Sequence, residues 1–246
     1  MTGDVHPIAP WLKRFAGQHS SRPVLVFPHA GGAASAYRAL GAALAAAGAD
    51  AYVMQYPQRG DRLTHPAPAG VPELADDLFA AANWAELAPL RLFGHCMGAV
   101  VAFEFARVAE RRGVAVDALW ASASEAPSTV AARPDLPTAQ ADILAELADL
   151  GGTDARLLAD DDFVDLLLPA VRADYAAFNR YSCDAGVTVA ADIHTLGGDD
   201  DHRVDEHMLR RWQPHTTGAF TVSTFPGGHF YVNDHLADIA ELVHEL

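Results

Sequence analysis

Lysine is almost missing from this chain. Lys13 is the only one, arginine supplies the rest of the 17 basic residues, and 32 acidic residues leave a formal charge of −15. A protein this acidic repels phosphate backbones, which argues against nucleic acid as a partner. Cysteine is equally scarce. With only Cys96 and Cys183 present, no disulfide framework organises the fold, and a reduced, cytoplasmic setting is expected. Apolar runs such as LGAALAAAGADAYVM (40–54) are broken by glycine and aspartate and fall short of the roughly 20 residues that cross a bilayer, so no membrane partner is expected. The opening stretch MTGDVHPIAPWLKRF lacks the basic start, apolar core and small-residue cleavage site of a secretory signal. There is no HExxH and no paired CxxC, so His202, His207 and His215 beside the acidic run do not point to a catalytic metal, and no cofactor is expected.

What is present is a half-hydrophobic chain of 246 residues, enough for one substantial core. PVLVFPHA (23–30) reads as a buried strand running into the Gly31-Gly32 pair. ADAYVMQYP, LRLF, DALWASAS, DIHTLGG and AFTVSTFPGG read as further strands. Between them SAYRALGAALAAAG, VPELADDLFAAANWAELA and MGAVVAFEFARVAERRG carry helical periodicity. Alternation of this kind predicts an α/β fold with a mostly parallel sheet covered on both faces. The rhythm breaks between SEAPS and DIHTL, where TAQADILAELADLGG and DDFVDLLLPAVRADYAAFNRYS predict a helical insertion over approximately 128–188. We read it as a cap over the carboxyl edge of the sheet, within a single domain spanning 1–246.

The chemistry-bearing stretch is RLFGHCMGAVVAFEFA (91–106): strand, tight turn, helix, with Cys96 at the tip. Such a tip is held in a strained conformation that lifts its side chain into the cleft, and glycines flank it because a Cβ at Gly94 or Gly98 would strike neighbouring backbone. The tip also sits at a helix N-terminus, which favours negative charge. A nucleophile there needs a base and an orienting acid. LGGDDDHRV and FPGGHFYV each follow a predicted strand, so His229 and one of Asp199, Asp200 and Asp201 are placed at the same sheet edge as Cys96. His95 is one residue off the tip and points elsewhere. His29 is expected to hydrogen-bond its own loop. The oxyanion donors expected are the N–H groups of Met97 and, in the HAGG loop, Ala30.

FPHAGG, QYPQRGDRL, LFGHCMGAVVAFEFAR, LGGTDARLLADDDFVDLLLPAVRADY, LGGDDDHRV and FPGGHFY, taken in order, resemble the type II thioesterases of nonribosomal peptide and polyketide synthesis. The resemblance implies an α/β-hydrolase fold with a helical lid, and acyl substrates held as thioesters on the phosphopantetheine of acyl or peptidyl carrier proteins, or on CoA. It places the family's serine on Cys96, its acid on Asp201, its base on His229, and its oxyanion donors on Ala30 and Met97. A proline common after the acid is His202 here.

With a cysteine nucleophile the acyl-enzyme is itself a thioester, so loading is a near-balanced exchange. Four readings follow: hydrolysis of the acyl thioester, which the resemblance favours; transfer or cyclisation onto a nucleophile other than water; carrier binding without catalysis; and a serine enzyme in which Cys96 was introduced to trap an intermediate. Leu150, Leu157, Phe163, Leu167, Val171 and Phe178 are candidate acyl-pocket residues. Arg59 and Arg62 are candidates for a phosphate contact, and arginines such as Arg107, Arg111, Arg112, Arg210 and Arg211 for an acidic partner. A monomer is the default.

Overall fold

Short β-branched and aromatic runs become strands here because both of their faces are covered. The computed structural model describes residues 11–17 and 23–245; the first ten residues, part of the stretch read against a secretory signal, lie outside them. Its strands are β1 (Leu12–Phe15), β2 (Val24–Phe27), β3 (Ala51–Met54), β4 (Leu90–His95), β5 (Val116–Ser122), β6 (Asp192–Gly198) and β7 (Phe220–Phe225). They form a sheet in the order β1-β3-β2-β4-β5-β6-β7. All neighbours are parallel except β1 and β3. Every residue of β2, β3 and β4 is buried, Arg91 and His95 of β4 included, as strands between two helical layers are.

The helices are α1 (Arg38–Ala46), α2 (Val71–Ala80), α3 (Met97–Arg111), α4 (Gln140–Leu150), α5 (Ala155–Leu158), α6 (Asp161–Asn179), α7 (Glu206–Arg210) and α8 (Leu236–Glu245). Strand alternation sorts the core into two layers. Val24, Val26, Val53 and Trp120 pack with Leu40, Leu44, Ile239 and Val243 of α1 and α8. Leu25, Phe27, Leu92 and Leu119 pack with Leu74, Leu78, Phe103 and Phe105 of α2 and α3. This is the expected α/β-hydrolase architecture.

Two details depart from expectation. β1 was not foreseen: LKRF has charges at two of its four positions and a burial pattern with one fully buried residue, typical of an edge strand whose polar residues blunt further pairing. The helix expected through VPELADDLFAAANWAELA stops at Ala80. The Trp84 indole N–H turns back to the Leu78 and Phe79 carbonyls, satisfying the helix's last acceptors and starting a 3-10 turn at Trp84–Glu86. The expected helical region between β5 and β6 carries α4, α5 and α6. Among the described residues no helix is long and apolar enough to cross a membrane.

The Phe105 ring makes edge or tilted contacts with Phe27, Phe79 and Trp84 and is fully buried. Phe105→Ala should therefore lower unfolding free energy by about 3–5 kcal/mol in denaturant titration.

Candidate active site

The site begins with a close backbone approach. α3 starts against the end of β2 so tightly that a Cβ on Gly98 would lie 2.1 Å from the Phe27 carbonyl oxygen, and one on Gly94 would lie 2.3 Å from the Gly98 oxygen. Glycine is obligatory at both positions. The turn between them puts Cys96 at φ 54°, ψ −126°, directly before the first residue of α3, a backbone state that a non-glycine residue holds only under constraint from its surroundings. The Cys96 N–H donates to Ser122 O at 2.8 Å. Ala123, directly after β5, is another non-glycine residue with positive φ, 46°.

The loops after β6 and β7 meet beside Cys96. His229 Nδ1 donates to Asp201 Oδ2 at 2.9 Å, with both side chains buried. Of the three consecutive aspartates only Asp201 turns inward. Asp199 accepts from Gly227 N–H, and Asp199 and Asp200 are exposed. Burial, the largest influence on Asp201, acts to raise its carboxyl. The His229 hydrogen bond and charge, with the N–H groups of Arg203 and Val204, outweigh it and hold the group below its ordinary value. His229 Nε2 is buried and makes no hydrogen bond of regular geometry. The ring nonetheless feels Cys96: burial pushes the imidazole down most strongly, but the Cys96 and Asp201 interactions together raise it to about 10.

Two further histidines back this pair. His95 is fully buried, with Nδ1 2.9 Å from Ser122 Oγ, which in turn is 2.7 Å from the Tyr231 hydroxyl. Its ring centre is 5.4 Å from that of His229. Burial, with the charges of His229 and His29, holds His95 well below the ordinary histidine range, so it packs as a neutral ring. His29 bonds within its loop as expected, Nδ1 lying 2.7 Å from the Tyr37 hydroxyl, and burial lowers it to about 3.

The HAGG loop is held by a knot that the sequence did not disclose. Asp174 on α6 accepts from the Gly31 N–H at 2.7 Å and takes a bidentate pair from Arg59 at 2.6 and 2.8 Å. Both side chains are buried. Gly31 has φ +75°, and a Cβ there would lie 2.5 Å from Val171 Cγ2. Arg59 is thus spent on structure, as is Arg62, which donates to Gln55 O and lies over the Trp11 ring. The suggested phosphate contact for these two arginines is set aside, because both are buried. A second tie joins the β6–α7 loop to α4, where Arg203 reaches Glu146 at 2.9 Å and Asp149 at 2.7 Å. His202, where the resemblance would have proline, joins it at 2.9 Å from Asp149.

Cys96, His229, Ala30 and Met97 all line one cavity of about 600 Å³ beneath α4 and α6. Of the candidate acyl-pocket residues, Leu150 and Phe178 reach it. Leu157, Phe163, Leu167 and Val171 do not: Leu157 is exposed, and Leu167 and Val171 pack over Gly31. The wall also carries polar residues that periodicity alone does not single out, among them Glu125, Arg133 and Tyr175. Cys96 and Cys183 are both free thiols.

A glycine-flanked elbow at the centre of a mostly parallel sheet, with a histidine after the last strand and a carboxylate after the one before it, defines an α/β-hydrolase site. The chain belongs to the Thioesterase domain family, which matches residues 22–246. It is 58% identical over 234 residues to phenyloxazoline synthase MbtB of Mycobacterium tuberculosis strain H37Rv, covering 95% of this chain but spanning only 16% of that protein's length. It is 39% identical to thioesterase PikA5 of Streptomyces venezuelae, covering 93% of this chain and 82% of that one. Among solved structures it is similar to the type II thioesterase BorB of the borrelidin cluster, with a TM-score of 0.80, 37% identity and 96% of each chain covered.

Removing one partner from a buried ion pair leaves the other charge stranded. Asp174→Asn should cost about 3–5 kcal/mol in denaturant unfolding, and replacing Arg59 as well, by methionine, should recover part of the loss. Asp201, with its depressed native value, stabilises fully above the ordinary carboxylate range near 3.9 and ceases to do so as pH falls through the native value. The stability gap between the parent chain and Asp201→Asn should therefore be constant from about pH 7 to 5 and close under stronger acid, as followed by thermal melts across pH.

Proposed function

We propose that this protein is a thioesterase that works through a Cys96-His229-Asp201 triad and an acyl-thioester intermediate on Cys96. The observation that carries the reading is the meeting of a thiol on the strained residue that precedes α3, a carboxylate-oriented imidazole and residues Ala30 and Met97 in one cavity. The Cys96 sulfur attacks the thioester carbonyl and its proton passes to His229 Nε2. The developing oxyanion takes hydrogen bonds from the Ala30 and Met97 N–H groups. Collapse breaks the carbon–sulfur bond to the leaving thiol, which departs with the proton from His229. Water, deprotonated by the same nitrogen, then attacks the enzyme thioester, and the acid leaves as Cys96 regains its proton or remains paired with the imidazolium. Asp201 keeps Nδ1–H occupied, so Nε2 is the nitrogen that exchanges protons.

The substrates we assign are acyl groups on the phosphopantetheine of acyl or peptidyl carrier proteins, or on CoA, with helices α4 to α6 as a lid within a single, monomeric domain. Family membership and the likeness to proteins named type II thioesterases support this. Sulfur at the tip also supports a second outcome, transfer of the acyl group to an amine or thiol, because the enzyme thioester stays reactive.

Incubation with an acyl-pantetheine, followed by acid release and intact mass, separates these outcomes. Acid release should vanish in Cys96→Ala and fall by about 10²–10⁴ in His229→Ala. Accumulation of acylated protein with little acid, relieved by an added amine, would establish transfer. Neither labelling nor acid release would remove the catalytic reading.

A further inference from the structure

One wall of the cavity is the stretch of chain that follows Asp201. His202, Arg203, Val204, His207, Met208 and Arg211 all line the space that holds Cys96. The inner end of this wall is fixed at the acid, where the Arg203 and Val204 N–H groups donate to Asp201. Its outer end is α7, where Asp205 caps the Met208 N–H at 2.8 Å. Leu209 and Trp212 are buried and plant the helix, and the Trp212 indole N–H donates to Ser124 O at 2.9 Å, tying it to the chain just after β5. His207 and Arg211, one turn apart on one face, are thus carried on an anchored element. Both are exposed where the cavity wall reaches solvent.

Three arginines line this cavity, and two of them are committed. Arg203 is bound to Glu146 and Asp149, and Arg133 donates to Pro134 O and Asn179 Oδ1. The guanidinium of Arg211 makes no hydrogen bond or ion pair among the described residues. The acids nearest to it in the chain are taken, Asp205 by its cap and Glu206 by Arg210. The remaining acids of the wall, half-buried Glu125 and exposed Asp135, lie on the stretch between β5 and α4. In a chain with a formal charge of −15, an unmatched arginine held at the rim of the cavity is a point of arrival for an anion.

A thioester substrate on a carrier supplies an anion in a defined place. Its carbonyl must reach Cys96, and its acyl chain fills the buried side of the cavity at Leu147, Tyr175 and Phe178. The far end of the thiol arm is bonded through phosphate to a carrier or nucleotide too bulky to follow it in, so the phosphate stays at the rim. A carboxylate on the acyl group would lie at the opposite, buried end. Resting on the thioesterase reading above, we infer that Arg211, assisted by His207, binds the phosphate of the phosphopantetheine arm and so positions the thioester over Cys96. Arg59 and Arg62, being buried, do not fill that role. Arginine suits it because its planar donor fork meets two phosphate oxygens at once.

The test compares hexanoyl-pantetheine with hexanoyl-phosphopantetheine, which differ by the phosphate alone. Binding is measured calorimetrically to Cys96→Ala, and kcat and KM with the parent chain. The phosphorylated form should bind roughly fivefold tighter or more, with the gain in KM rather than kcat and shrinking as salt is raised. Adding Arg211→Gln should bring the two forms to within about twofold of each other. Arg210→Gln, on the same helix but paired with Glu206, should leave the preference intact. Equal binding of both forms, a preference that survives Arg211→Gln, or an equal loss in Arg210→Gln overturns the inference. So does an Arg211→Gln defect that appears only with adipoyl-pantetheine, whose negative charge is on the acyl end. If binding shows the preference but the parent chain releases no acid, the hydrolytic reading fails and the inference stands; acid release indifferent to the phosphate does the reverse.

Discussion

The contact on which the rest of this molecule depends is between backbones. The first turn of α3 lies against the carbonyls that end β2, with no room at Gly98 for a side chain of any size. That approach fixes the direction in which α3 leaves the sheet and forces Cys96 out of the ordinary backbone regions. It also brings the start of α3 beside the HAGG loop that follows β2. The polar pieces of the site assemble around this steric constraint. The thiol, the first amide of α3 and the loop bearing Ala30 take their places because no alternative packing of the three chain segments is available. The His229–Asp201 pair arrives independently, on loops after β6 and β7, and parallel strand order delivers it to the same edge.

Much of this was legible in the sequence because the signals are local. A strand-period run, two glycines and an amphipathic helix identify the elbow from one short stretch, and strands followed by DDD and GGH place an aspartate and His229 at the same sheet edge. The choice among the aspartates needed the resemblance, since Asp199, Asp200 and Asp201 are equivalent as letters and differ only in which way the chain turns after β6. What stayed hidden is what depends on long separations. The Asp174 clamp joins Arg59 across 115 positions and Gly31 across 143, and nothing local distinguishes Asp174 from the other acids of α6. Helical periodicity identified the apolar stripe of α6 but not what covers it. Val171 and Leu167 press on Gly31, whereas Phe178, about two to three turns further along, lines the cavity. The arginines of QRGDR were candidates for a phosphate contact, yet both are buried, which is uncommon for arginine.

The two ties between the helical segment and the sheet differ in their exposure to solvent. Arg59 and Asp174 have side chains only 7% and 5% accessible, whereas Arg203 and Asp149 are 36% and 54% accessible. Added electrolyte weakens interactions between exposed charges within a few ångströms of bulk water and leaves buried pairs nearly untouched. The helical segment is thus fastened asymmetrically, with α6 as the fixed side and α4 as the side that counterions can loosen. The buried anchor at Asp174 and the solvent-exposed charges over the loop that holds Asp201 thus respond differently to ionic strength.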